Sequence, residues 1–157
     1  MILSEEHIYS GTKKYFRSNS FIILGGQPPR GVDHFPVVEI KDSSMNEKGS
    51  KHSYKPDLIA YRNNSFFIVE CKPTYDENDY LKLKLILHSE QRLNSLYLEL
   101  IQRGIFSRNN INLSFDDFKS NTYGVLAYSS EITDNDLYYV QVTNWLKGVA
   151  NSNITIG

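Results

Sequence analysis

The sequence contains a single cysteine, so no internal disulfide can form and a cystine-stapled scaffold is excluded. It has no long apolar run; its longest falls far short of the ~20 residues that a membrane-spanning helix needs. The start, MILSEEHIYS, is charged by its fifth residue and does not read as a signal peptide. Excess charge of either sign is missing too, with 17 basic and 18 acidic residues and a net charge of −1. The overall basic character of many nucleic-acid binders is therefore absent. DNA binding remains open, because carboxylates gathered around a metal cancel basic residues placed elsewhere. Repeats and low-complexity tracts do not occur. These absences lead to the expectation of a cytoplasmic protein with no membrane role.

What is present suits a packed domain. The chain has 157 residues, 40% of them hydrophobic, with 11 Tyr and 8 Phe. That length buries a real core and is expected to form one domain over residues 1–157.

Residues 4–18 read as a helix capped by Ser4, with Glu5 and Glu6 suiting its positive end. Ile8, Tyr9, Thr12, Tyr15 and Phe16 fall on one face. SFIILGG (20–26) reads as a strand. Residues 27–56 are the least regular: QPPRG is a turn or loop, PVVEIKD a possible short strand, and SSMNEKGSKHSYK a polar loop. DLIAYR (57–62), a turn at Asn63-Asn64-Ser65, and FFIVECK (66–72) form a hairpin. Thr74 and Glu77 match a capping box, Gly104 matches a helix end, and one long helix is expected between them. A polar connection follows, with a short helix around Phe115–Phe118. YGVLAYS (123–129) and LYYVQV (137–142) read as strands, and TNWLKGVAN as a closing helical turn. The order predicts an α/β fold, a central mixed sheet flanked by helices.

The chemistry concentrates in the hairpin. Asp57 opens its first strand. Glu70 and Lys72 close the second and, two apart, share a face, while Cys71 points into the packing layer. The hairpin folds back after about five residues and brings Asp57 near the pair. Two carboxylates and a lysine at the end of an apolar hairpin are costly unless paired or used. Carboxylates are natural ligands of Mg²⁺. A bound metal activates water and stabilises phosphodiester transition-state charge, and an adjacent lysine can position the water or stabilise that charge.

KPDLIAYRNNSFFIVECKP, with its P-D, short hairpin, apolar run and E-x-K, resembles the core of PD-(D/E)xK nucleases. That superfamily includes many restriction endonucleases and Holliday junction resolvases, and the segment is also similar to the nuclease domain of type I restriction subunits. The likeness covers roughly residues 4–129, including the order α-β-β-β-α-β of the restriction endonuclease-like core. The resemblance implies an endonuclease that hydrolyses DNA with Mg²⁺, for which Mn²⁺ would substitute. It makes Asp57, Glu70 and the Cys71 backbone carbonyl metal ligands, and Lys72 the catalytic lysine. It also implies an acid from the first helix, Glu5 or Glu6; spacing favours Glu5, which projects along the apolar face. Some members carry a Gln on the following helix; Gln91 is available but reads as a surface residue.

A second E-x-K, Glu39 and Lys41, follows Val37-Val38. Its nearest upstream acid, Asp33, lies six residues away, too near for a strand, turn and return; Glu39 remains an additional acid. His7, His34, His52 and His88 lack metal-ligand spacing. Arg30, Lys51 and Lys55, in loops beside the proposed site, are candidate phosphate contacts. Lys82, Lys84 and Arg92 read as a solvated helix face. A single catalytic centre cuts one strand, so duplex cleavage implies a homodimer or a partner subunit. Restriction or defence is the role expected by family analogy. The alternatives are a repair or junction nuclease, and a non-catalytic module of the same fold that binds nucleic acid or a partner protein.

Overall fold

A computed structural model describes residues 3–41 and 53–157. Helix α1 (Glu5–Ser18) starts where Ser4 accepts the His7 amide, with two glutamates in its first turn. Strands β1 (Ile22–Gly26), β2 (Leu58–Arg62) and β3 (Ser65–Cys71) follow. Four helices come next, α2 (Glu77–Leu87), α3 (Glu90–Gln102), α4 (Ile105–Arg108) and α5 (Phe115–Ser120). Strands β4 (Thr122–Tyr128), β5 (Tyr138–Asn144) and β6 (Val149–Ser152) close the chain.

The six strands form one mixed sheet in chain order. β1, β2 and β3 pair antiparallel, β3–β4 and β4–β5 pair parallel, and β6 returns antiparallel. The parallel pair β3–β4 needs a crossover connection, and α2 to α5 supply it. They cover one face, where Phe66, Ile68 and Leu126 pack against Leu83, Leu96 and Phe118. Helix α1 covers the other, where Ile8 and Phe16 meet Leu58, Phe67, Val69 and Val125. All seven residues of β3 are buried, as a central strand covered on both faces requires.

Some sequence expectations are corrected. The single long helix is two: α2 ends at His88, and Ser89 accepts the Arg92 amide to start α3. A serine that can bond the backbone favours a new cap over an uninterrupted ladder. The cap of α2 is Asp76, which accepts the Asn78 amide, so the Thr74–Glu77 box does not form. TNWLKGVAN is not helical; β5 runs on to Asn144 and a turn ending at Gly148, with φ +68°, leads into β6. The described part of PVVEIKD, residues 36–41, forms no strand and makes an isolated bridge, Ile40 with Tyr54. The turn, the short helix at Phe115 and the strands near 20, 57, 66, 123 and 137 form as expected, each within two residues. No helix among the described residues is long and apolar enough to cross a membrane.

Candidate functional site

The hairpin β2–β3 sets the geometry. Asn63 and Asn64 both take left-handed backbone, φ 48° and 65°, and make a two-residue turn of the type that matches strand twist. Arg62 then pairs with Ser65 and Leu58 with Val69. One step further, Asp57 stands opposite Glu70, on the face covered by α2. The chain clamps both carboxylates reciprocally. The Cys71 amide donates to Asp57 Oδ2 at 2.8 Å, and the Asp57 amide donates to Glu70 Oε2 at 3.1 Å. The Cys71 side chain faces α1 on the opposite side, fully buried; burial, then the Asp57 charge, pushes its thiol well up, as suits a small core residue.

Two carboxylates this close and this buried oppose each other's ionisation. Burial first, and Glu70 second, push the Asp57 carboxyl up to about 8. Helix α2 adds a third acid that the sequence reading missed. Asp79 is buried, and its Oδ2 has no hydrogen-bond partner. Burial and then Glu70 raise its carboxyl to about 6. Lys82, one turn on, was also missed as a site residue, having been read as solvated. Its Nζ sits 3.5 Å from Glu70 Oε1 and 3.8 Å from Asp79 Oδ1, and 4.8 Å from the centre of the Tyr54 ring. Tyr54 has a half-buried ring with its hydroxyl buried, and burial followed by the Glu70 charge pushes the phenol well up. The signal for Asp79 and Lys82 was their three-residue spacing in the first turns of a helix returning over the E-x-K end.

No protein-family model, curated protein or solved structure matches this chain. The site is therefore read from its own geometry.

Lys72 turns to the first helix: its Nζ lies 3.4 Å from Glu5 Oε1, with both side chains more than a third exposed. Burial pulls its ammonium down, but Asp79 and Glu5 outweigh that and hold it above the ordinary lysine value. Glu5 thus reaches the rim of the site, and Glu6 is exposed to solvent. Glu39 is flanked by Val38 and Ile40, which anchor in the core, and the Lys41 amide donates to Ser95. Gln91 is exposed on α3 and lines a cleft with Lys41 and Ser95. Arg30 and Lys55 are exposed, Lys55 two residues from Asp57. Lys51 lies outside the described residues, with Lys48, His52 and most of the loop 43–55. His7 stacks on Trp145 at 4.1 Å and is engaged in packing.

Among the described residues no three His, Cys, Asp or Glu side chains are gathered so as to hold a metal ion by themselves. Mg²⁺ does not require such a cage, since it is held by one or two carboxylates and keeps several waters. Asp57 and Glu70 offer two, and a mutually repelling pair of a half-buried and a buried carboxylate, with the orphaned oxygen of Asp79 on α2, fits a divalent cation.

Proposed function

We propose that this chain is a Mg²⁺-dependent endonuclease that hydrolyses DNA phosphodiesters, with a restriction or defence role. The observation that carries the reading is the hairpin register, which sets Asp57 opposite Glu70 on one face at the end of the sheet. The order α1-β1-β2-β3-helix-β4, with β3 and β4 parallel, agrees with a restriction endonuclease-like core and supports the same reading.

Asp57, Glu70 and the Cys71 carbonyl would hold the cation. When bound, it supplies charge stabilisation and a lowered pKa for water. The chain's own groups orient the reaction. The two amide clamps fix the carboxylates, so little reorganisation is required of them. Lys72 lies at the rim, held by Glu5, and its remaining donors would serve a phosphate oxygen or the attacking water. Glu5 positions that lysine and can take a further water. Arg30 and Lys55, both exposed, would track the DNA backbone. Mn²⁺ would substitute for Mg²⁺. The low thiol content suits the cytoplasm, and duplex cutting would come from a homodimer or a partner subunit.

One observation favours a second reading, a non-catalytic module that binds nucleic acid or a partner: the lysine of E-x-K contacts Glu5 rather than the carboxylate pair. A junction-resolving or repair nuclease would use the same centre on a different substrate. Incubation of supercoiled plasmid with Mg²⁺, beside Lys72→Ala and an EDTA control, separates them. The nuclease nicks or linearises plasmid with metal and stops doing so in the variant. Absence of cutting on plasmid and on branched DNA, with no heat of Mg²⁺ or Mn²⁺ binding, would leave the binding module.

A further inference from the structure

Lys82 is a further working group of the site, and the inference rests on the nuclease reading. Among the described residues its ammonium is the one cation in ion-pair contact with Glu70, at 3.5 Å, while Lys72 pairs with Glu5. It bridges two carboxylates whose side chains are only 6% exposed, yet is itself 44% exposed. A long side chain reaching inward from solvent to two buried acids, with a phenol ring beneath it, offsets part of their charge. Its ammonium and a divalent ion compete for the same oxygens of Glu70.

We propose that Lys82 is a built-in placeholder cation: it holds Glu70 in the ion-free protein, yields that carboxylate to the divalent ion, and then serves the scissile phosphate. Asp79 is the positioning residue. It sits three residues before Lys82 on α2, contacts it at 3.8 Å, and keeps a buried oxygen, Oδ2, without a partner. An ammonium released from Glu70 therefore has an acceptor within reach and stays at the site rather than escaping to solvent. There it faces the region between the two carboxylates and the rim lysine, where a phosphate contacting the ion would sit.

The test is Mn²⁺ titration by calorimetry on the ion-free protein, with plasmid cutting in Mg²⁺ alongside, for wild type, Lys82→Met, Asp79→Asn and Asp57→Asn. Methionine keeps the stem over Tyr54 and removes the charge. The two readouts are expected to move in opposite directions. Lys82→Met binds Mn²⁺ about threefold more tightly, the scale of a half-exposed ion pair, yet cuts about tenfold or more slowly, the scale of one lost charge contact to the transition state. Asp79→Asn, with Lys82 less well held, slows cutting while Mn²⁺ still binds. A lysine that merely supported the fold would weaken both readouts together. Unchanged or weaker Mn²⁺ binding in Lys82→Met, or cutting at the wild-type rate, overturns the placeholder. If Mn²⁺ binding is lost in Asp57→Asn but indifferent to Lys82, the metal site stands and this inference falls. If wild type and Lys82→Met both fail to bind Mn²⁺, the nuclease reading falls with it.

Discussion

At the residue scale, the site is a compromise between charge and burial. Asp57 keeps a carboxylate inside the sheet end although Glu70 stands across from it. Burial first, and Glu70 second, push its carboxyl up to about 8. Asp57→Asn retains an oxygen for the Cys71 amide and removes the charge. The ion-free variant is expected to gain on the order of 1 kcal/mol, or about 2–4 °C in Tm for a chain of this size, while losing metal binding and cutting. Thermal melting beside calorimetry reads both. Asp33 shows the opposite sign. Burial raises its carboxyl, but hydrogen bonds from Lys13 at 2.7 Å and Tyr9 at 2.8 Å outweigh it and hold it below the ordinary 3.8. Because the native value is the lower one, its contribution is full above 3.8 and disappears as pH falls through the lowered native value. Urea midpoints measured through that acid range should fall less steeply in Asp33→Asn than in wild type.

At the element scale, the close fit of α1 on the sheet depends on a missing side chain. A Cβ on Gly11 would meet Val142 Cγ1 at 2.8 Å and the Trp145 Cα at 2.9 Å. The backbone on one side cannot yield, so Gly11→Ala should cost about 1–3 kcal/mol, visible as a lower denaturant midpoint. The cost would reach the site as well, since Glu5 is carried on the same helix; weaker support of Lys72 should accompany it. Strands β1 to β5 were legible in the sequence because each is a short apolar or alternating run bounded by turn residues. The break at His88-Ser89 was not, because the leucines continue at helical spacing on both sides and only the serine marks a new cap. The closing turn was misread as helical because TNWLKG lacks alternation; its strand character comes from β6 pairing, a partner invisible locally.

At the scale of the whole molecule, helices on both faces of a mixed sheet followed from the order of elements in the sequence. The hairpin end with Asp57, Glu70, Lys72 and Glu5 was legible because strand parity fixes which residues share a face. Asp79 and Lys82 were not, because the start of α2 was placed two residues early and a charged helix ordinarily faces solvent. Under the proposed nuclease function, a centre carried by one chain would cut one strand. Nicked circles should therefore accumulate before linear DNA appears, and the linear fraction should grow with protein concentration if two copies cooperate. Linear product with no nicked precursor at the lowest concentrations would mean two centres arrive together. Agarose separation of plasmid forms over a dilution series decides between these.

Across the hairpin, paired residues have numbers that sum to 127, from Arg62 with Ser65 to Leu58 with Val69, and by continuation Asp57 with Glu70. The turn at Asn63-Asn64 thus acts as the origin of a counting frame. Losing or gaining one residue within either arm would send Asp57 or Glu70 to the α1 face and separate the two acids by the thickness of the sheet. Each arm can change length only in steps of two, so the hairpin is constrained in its length as firmly as the acids are in their chemistry.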